Sequence, residues 1–175
     1  MADVRAREAF EEVVRSEGDG LFRFLYWFLG DREEALDALQ ETLLRAFQGF
    51  SGLRDPGSAK PWLFTIATNV ARRLHGKRKK RPRTLGIAPG EDARLALAGT
   101  GEPTPVANLE ASETDRRLAE ALASLEPELR EPLLLFTLSG LKYREIADTL
   151  KWPVGTVTTR IHTARERLAT ILKPS

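Results

Sequence analysis

The sequence predicts an all-α fold with two small helical domains joined by a flexible linker, the C-terminal domain being a helix-turn-helix. Apolar residues recur at spacings of three and four along most of the chain, which is the period of a helix buried on one side. Residues 81–112 break this pattern with four prolines and four glycines, a composition typical of linkers. The predicted domains are therefore residues 1–80 and 113–175.

Composition narrows the kinds of function that the chain can have. Its 175 residues are 42% hydrophobic and 30% charged, as in a soluble globular protein. The absence of cysteine excludes disulfides and cysteine-based metal or nucleophile sites, and the two histidines lie far apart. The longest apolar run, "PLLLF", is too short for a membrane span, and the N-terminus is too charged for a signal peptide. We expect a cytoplasmic protein that needs no metal or cofactor.

Charge is unevenly distributed, although the net charge is only +2. Residues 1–41 carry 11 acidic and 5 basic side chains, whereas residues 42–80 carry 9 basic and 1 acidic. Residues 142–175 carry 7 basic and 3 acidic side chains. Two separate basic regions indicate two contacts with a polyanion. For the second region alone, an ordinary solvated surface is an equal alternative.

The N-terminal half is expected to form helices at 5–15 and 20–29 and a third after Asp31. Asp31 is an N-cap with Glu34 three residues later, the pattern of a capping box. The apolar side of the third helix is expected to consist of Leu36, Leu39, Leu43, Phe47 and Phe50. Its outward side combines acids and amides with an exposed leucine: Asp37, Gln40, Glu41, Leu44 and Gln48. DNA would repel such a stripe, so we expect it to face another protein.

A Gly- and Pro-containing loop, residues 50–61, precedes a helix from Pro61 towards Lys80. In the loop, Gly52, Gly57 and Ser58 are expected to offer backbone amides. The polar face of the helix is expected to be Thr65, Thr68, Asn69, Arg72 and Arg73. It continues into a run with eight basic residues between 72 and 83. Cations beside an aromatic residue, here Trp62, suit unstacked bases. The alternatives are a solvated tail for the run and a core position for Trp62.

The C-terminal half is expected to form helices near 113–124, 127–138, 142–150 and 153–172. The last two enclose the corner "KWPVG", and the final helix has one apolar side: Val157, Ile161, Ala164 and Leu168. The opposite side carries short polar residues and flanking arginines: Thr159, Arg160, His162, Thr163, Arg165 and Glu166. This design suits a recognition helix, in which polar side chains meet base edges and arginines reach phosphates. The alternative is an ordinary surface hairpin.

Several segments in order resemble an extracytoplasmic-function (ECF) RNA polymerase sigma factor. They are "DALQETLLRAF", a Gly-rich loop, "PWLFTIATNVARRL", a variable linker and "LSGLKYREIADTLKWPVGTVTTRIHTARERL". The resemblance covers regions 2 and 4 of that family, roughly residues 5–80 and 113–172. It implies a factor that binds core polymerase through the clamp helices and flap, recognises promoter DNA and opens it, and answers to an anti-sigma factor.

The resemblance also implies roles for individual residues. Core polymerase would be bound by Asp37, Gln40, Glu41, Leu44 and Gln48. The minus-ten element would be bound by Leu53, Arg54, Gly57, Ser58, Trp62, Thr65, Asn69, Arg72 and Arg73. The minus-thirty-five element would be bound by Lys142, Arg144, Thr156, Thr158, Thr159, Arg160, His162, Thr163 and Arg165. Thr158 and Thr163 depart from relatives that often carry basic residues there, which puts the usual minus-thirty-five preference in doubt.

Two other classes of function are weaker interpretations. A helix-turn-helix regulator acting without polymerase would explain residues 113–175 but not the acidic stripe. A nuclease would need clustered carboxylates or an activated nucleophile. Asp37 and Glu41 lie one helical turn apart, but Leu44 beside them favours docking over catalysis. We therefore expect no enzymatic activity.

Overall fold

The structure is a computed structural model, and it describes residues 2–78 and 113–173. All regular structure in these two ranges is helical, which confirms the predicted fold class. In the N-terminal half the helices are α1 (Ala2–Leu29), α2 (Arg32–Phe50) and α3 (Ala59–Arg78). In the C-terminal half they are α4 (Glu113–Ser124), α5 (Pro127–Leu134), α6 (Tyr143–Leu150) and α7 (Val154–Leu172). The predicted linker, 81–112, and residues 79–83 of the basic run lie outside the described residues.

Helix α1 is continuous, so the prediction of two helices at 5–15 and 20–29 was wrong about the break. The helix runs through Gly18 and Gly20, because an isolated glycine costs a helix only about 1 kcal/mol. Gly20 is buried, and a Cβ there would stand 3.4 Å from the carbonyl oxygen of Leu138. The glycine therefore lets α1 approach the C-terminal half closely.

Helix α2 begins as predicted and packs differently from the prediction. The Asp31 carboxylate accepts a hydrogen bond from the Glu34 amide at 2.9 Å, which confirms the N-cap. The fully buried side is made of small residues: Ala35, Ala38, Thr42 and Ala46. Small side chains allow α2 to lie close to α1 and α3. Phe47, expected in the core, is 54% exposed instead.

Helix α3 starts at Ala59, two residues before the predicted start, after a 3₁₀ turn at Pro56–Ser58. Leu63, Phe64 and Val70 are buried on its apolar side, as the helical spacing indicates. The Phe64 ring meets that of Phe24 edge to face at 6.0 Å. The core of the N-terminal half is thus a three-helix packing.

The C-terminal half confirms the predicted helices, with two local features that the pattern did not indicate. Helix α5 continues into a π-helical turn, Leu135–Ser139, which ends at Gly140 with φ +69°. The corner between α6 and α7 contains Lys151 in the left-handed region, with φ 59°. Across this corner the apolar residues of α6 pack on the apolar side of α7 and complete a helix-turn-helix.

The two halves also pack against each other, with α1 and α3 contacting α5, the π turn and α6. Buried residues of both halves form one hydrophobic cluster. Among the polar contacts between the halves are those of Arg72 with Glu131 and of Thr65 with Thr149. The predicted domains therefore share a core in this arrangement.

Candidate polymerase and nucleic-acid interfaces

The docking stripe, defined as Asp37, Gln40, Glu41, Leu44 and Gln48, lies on one side of α2. All its members are exposed except Glu41, which is half-buried. The Glu41 carboxylate pairs with Arg45 at 2.7 Å and also with Arg73 of α3. Leu44 has no such cover, and 59% of it is exposed.

Phe47 adds to this surface, and sequence reasoning missed it by assigning it to the core. Its ring packs edge to face on that of Phe10, with 5.4 Å between the ring centroids, while more than half of the residue is exposed to solvent. Leu44 and Phe47 stand three positions apart on α2, so they form neighbouring apolar points. The only warning in the sequence was the set of alanines, one turn apart, that fills the buried side instead.

The loop between α2 and α3 is closed by its own hydrogen bonds. The amides of Gly57 and Ser58 donate to Asp55, at 3.0 Å to the carboxylate and 3.1 Å to the carbonyl oxygen. The Gly52 amide donates to the carbonyl of Gly49 at 3.1 Å. The expectation of free amides at these three residues was therefore wrong, because an aspartate two residues before a glycine favours a local turn. Leu53 is half-buried in this loop, and Arg54 is exposed.

Trp62 packs partly on α2. A Cβ at Gly49 would stand 3.2 Å from the indole, and the Phe50 ring centroid lies 6.2 Å away. The absence of a side chain at Gly49 makes room for the ring. Trp62 is half-buried, so it has a packed part and an accessible part.

The polar face of α3 is divided among different partners. Asn69 is exposed. Arg72 makes two parallel hydrogen bonds to the Glu131 carboxylate, at 2.6 and 2.8 Å. The Thr65 hydroxyl donates to the carbonyl of Pro61 at 2.8 Å and lies 3.2 Å from the Thr149 hydroxyl. Thr68, expected on this face, is instead fully buried and donates to the carbonyl of Phe64.

The outward side of α7 is placed as predicted, at the surface of the helix-turn-helix. Thr158, Thr159, His162 and Arg165 are exposed, while Thr156, Arg160 and Thr163 are half-buried. The Thr158 hydroxyl donates to the carbonyl of Val154 at 3.0 Å, so part of its hydrogen-bonding capacity is used by the helix. His162 lies 3.3 Å from the Glu166 carboxylate. Lys142 and Arg144 are exposed where α6 begins.

Two arginines of α7 lie over aromatic rings of their own domain. The Arg160 guanidinium carbon lies 4.2 Å from the Trp152 ring centroid, and one of its nitrogens lies 3.4 Å from Glu128. The Arg165 guanidinium lies 5.0 Å from the ring of Phe136. The sequence predicted that both arginines flank the outward side of α7, but it did not predict a role for Trp152. The only sign of such a role was that an aromatic residue stands in the corner before α7.

Two family models match the chain. One describes sigma-70 region 2 and matches residues 13–81, and the other describes sigma-70 region 4 and matches residues 115–168. Together they cover both helical halves. The order of the two matches, region 2 before region 4, is the order of the two helical halves.

Individual proteins agree with the family models. The chain is 36% identical over 146 residues to the ECF sigma factor EcfG of Rhodopseudomonas palustris, covering 82% of this chain and 74% of that protein. It is 33% identical over 171 residues to the ECF sigma factor SigE of Mycolicibacterium smegmatis, covering 95% of this chain but only 62% of that protein. The fold is similar to that of the sigma factor RpoE of Bartonella quintana, solved with the anti-sigma factor NepR. The TM-score is 0.68, with 24% identity and coverage of 93% of this chain and 96% of that one.

The chain belongs to the ECF group of sigma-70 RNA polymerase sigma factors. This confirms the resemblance and disfavours a regulator that acts without polymerase. No helix within residues 2–78 and 113–173 is long and apolar enough to cross a membrane. In the same ranges no group of three or more histidines and carboxylates is arranged to hold a metal ion.

Proposed function

We propose that three surfaces of this chain divide the work of promoter-directed initiation. The docking stripe of α2, extended by Phe47, binds core polymerase. The loop before α3 and the face of α3 around Asn69 bind and open the minus-ten element. The outward side of α7, with Lys142 and Arg144, binds the minus-thirty-five element.

The observation that carries the proposal is the exposed pair Leu44 and Phe47, because binding to DNA would not explain two exposed apolar side chains on this surface. Each residue is more than half exposed, and Asp37, Gln40 and Gln48 surround the pair with acids and amides. Apolar residues ringed by polar ones are typical of protein interfaces. A regulator that met only DNA would have no use for this surface.

The minus-ten assignment rests on α3 and on the accessible part of Trp62. Opening DNA without ATP requires that unstacked bases be held by the protein, which offsets a few kcal/mol for each extruded base. The amide of Asn69 can donate to and accept from a base edge, and Arg54 is exposed beside the loop. Arg72 and Arg73 would bind phosphates of the DNA backbone once their ion pairs, Arg72 with Glu131 and Arg73 with Glu41, are broken.

The minus-thirty-five assignment rests on the exposed polar side of α7. Thr159 and His162 can meet base edges, while Arg160 and Arg165 lie on its flanks. Since Thr158 and Thr163 are uncharged where relatives often carry basic residues, we propose a different sequence preference. Binding would be strongly salt-dependent, because arginine and lysine release counterions from phosphates.

We also propose an anti-sigma factor as a partner, by analogy with the Bartonella quintana sigma factor that was solved with one. The protein would act in the cytoplasm, where polymerase and the chromosome are. It would need no cofactor or catalytic residue, since the polymerase supplies the chemistry.

Run-off transcription tests the proposal. The chain is combined with core polymerase on a library of genomic fragments, and the start sites are mapped. We expect transcripts that depend on the chain and share one pair of upstream elements. A protein that binds the same fragments with or without core, and yields no new start site, would instead be a free-standing regulator.

A further inference from the structure

We infer that Trp152 is a positioning residue that holds the Arg160 guanidinium ready for a DNA phosphate, and that the Glu128 carboxylate occupies the place of that phosphate in the free protein. This rests on the proposed function of α7 as the minus-thirty-five reader. The three residues come from three elements: Glu128 from α5, Trp152 from the corner and Arg160 from α7.

The indole is well placed to fix the arginine. The backbone amide of Trp152 donates to the carbonyl of Ala147 at 3.0 Å, and Pro153 follows directly, so the corner has little freedom. Over this ring the guanidinium carbon stands 4.2 Å from the centroid, within the range of a cation–π contact. Stacking uses the flat face of the guanidinium and leaves its in-plane N–H groups available.

Glu128 already forms an ion pair with that guanidinium. Its carboxylate lies 3.4 Å from an Arg160 nitrogen, while 70% of its side chain is exposed. An exposed ion pair of this length is weak, so a stronger anion can replace it. Carboxylate and phosphate oxygens suit the same guanidinium fork, which makes Glu128 a local competitor of DNA.

The neighbouring arginines lack this combination. Arg165 lies over Phe136 at the longer distance of 5.0 Å. Arg167 is engaged with Glu126 at the start of α5. Arg160 therefore has an ordered guanidinium and a displaceable anion at the edge of the recognition helix, so it loses little side-chain freedom when it binds.

The experiment uses holoenzyme made from the full chain and core, on a promoter fragment found by run-off transcription. Affinity is measured across a series of KCl concentrations for Trp152→Leu, Trp152→Phe, Arg160→Ala and the double variant Trp152→Leu/Arg160→Ala. We expect Trp152→Leu to weaken binding by about three- to tenfold, on the scale of one cation–π contact, and Trp152→Phe to restore most of it. In the Arg160→Ala background, Trp152→Leu should have no further effect.

The salt dependence of the affinity for DNA distinguishes a residue that positions the arginine, Trp152, from the residue that supplies the charge, Arg160. Arg160→Ala should reduce the slope of log affinity against log salt by about 0.9, the value for one phosphate contact. Trp152→Leu should leave the slope unchanged, since the arginine can still reach the phosphate. Glu128→Gln should strengthen binding about two- to threefold, because an ion pair of a few tenths of a kcal/mol no longer competes.

Equal losses from Trp152→Leu with and without Arg160 would overturn the inference, because the tryptophan would then act through folding alone. Failure of Trp152→Phe to restore binding would also overturn it. Failure of the proposed function looks different: Arg160→Ala itself would change neither the affinity nor the salt slope.

Discussion

Lys151 holds a backbone conformation that side chains other than glycine rarely adopt. Its φ of 59° ends α6 and turns the chain towards α7. A Cβ in the left-handed region costs roughly 1–2 kcal/mol, and glycine avoids this at some entropic cost. We therefore expect Lys151→Gly to raise the free energy of unfolding by about 0.5–1 kcal/mol.

Lys151→Ala is the matched control, since it removes the same charge but keeps the Cβ. Its unfolding midpoint in urea should lie near that of the wild type, below that of Lys151→Gly. Equal midpoints for the two variants would mean that the turn carries no backbone strain.

Asn69 offers the sharpest test of strand opening at the level of one residue. It is exposed in the middle of α3, where alanine is a better helix former than asparagine, so Asn69→Ala should fold normally. Loss of one base contact should weaken promoter opening by about 1–3 kcal/mol. We expect lower permanganate reactivity of promoter thymines on duplex DNA, with core binding unchanged.

A template already mismatched at the minus-ten region distinguishes the two parts of this role. A defect in opening should largely disappear there, whereas a defect in base recognition should remain. If the permanganate reactivity of duplex promoter DNA is undiminished with Asn69→Ala, Asn69 does not belong to the minus-ten surface.

Local chemistry explains which residues were predictable. Asp31 was predicted because an N-cap depends on a backbone amide three residues away, which the sequence specifies directly. Phe47 and Thr68 were misplaced because helical spacing gives a periodicity but not the side that neighbouring helices cover. Trp152 was missed because its partner comes from α7 and lies beside it only after folding. The minus-ten and minus-thirty-five assignments stay predictions.

At the scale of elements, the buried side of α2 lies opposite the side that we propose to bind core polymerase. Its alanines pack inward, which leaves Leu44 of the docking stripe and the neighbouring Phe47 exposed to solvent. Replacing Gln40 and Leu44 together by lysine should weaken core binding at least tenfold while circular dichroism stays unchanged, because two charges would enter an apolar contact. Competition with labelled wild-type chain for core measures the effect.

Val4→Lys provides a matched control for this experiment. Val4 lies on α1 and is 59% exposed, the same fraction as Leu44. A similar loss of core binding from this variant would indicate a general charge effect rather than a defined docking surface.

The start of α5 is tied to α7 by an ion pair whose strength depends on pH. The hydrogen bond from Arg167 lowers the pKa of the Glu126 carboxyl below its ordinary value. A lowered folded-state pKa contributes stability above the ordinary glutamate pKa, and this is lost as pH falls through the lowered value. Glu126→Gln should therefore unfold at lower temperature than wild type near neutral pH, and the difference should shrink below about pH 4.

The same substitution in an Arg167→Gln background is the control. Without the arginine, only the backbone hydrogen bond still lowers the pKa of the Glu126 carboxyl, so the pH dependence of the difference should become much smaller. A difference that persists unchanged at acid pH would assign the effect to packing.

Element types were more predictable than element limits. Capping residues, proline and glycine mark where α2, α3 and α7 begin, and their predicted starts fall within two residues of the observed ones. The break in α1 was wrongly predicted from Gly18 and Gly20. A glycine ends a helix only where contacts with the rest of the protein do not stabilise the helical conformation. Gly20 faces Leu138, a contact between the halves that no local pattern contains.

At the scale of the whole molecule, the contact between halves covers a face that the proposed function needs. Arg72 and Thr65 belong to the proposed minus-ten surface, yet they contact Glu131 and Thr149 of the C-terminal half. The Glu131 side chain is only 6% exposed. The pair occupies Nε and Nη2 of Arg72, so under the proposed function minus-ten DNA would compete with Glu131 for this guanidinium.

We expect Glu131→Gln to shift the free chain towards separated halves and to strengthen its binding to forked minus-ten DNA. Removing one partner of a buried ion pair costs about 3–5 kcal/mol, and less here because Arg72 is 38% exposed. Opening the interface returns the arginine to water and avoids that cost.

Since the chain has no cysteine, Glu33→Cys and Ala169→Cys introduce one exposed dye site in each half. Energy transfer between the dyes should fall in Glu131→Gln, whereas Glu128→Gln removes a charge from the same helix and should not change it. Core polymerase should abolish the difference, because under the proposed function the two halves would bind two separate promoter elements in the holoenzyme. Identical transfer efficiencies for the free wild type and Glu131→Gln would show that the Arg72–Glu131 pair does not hold the closed form.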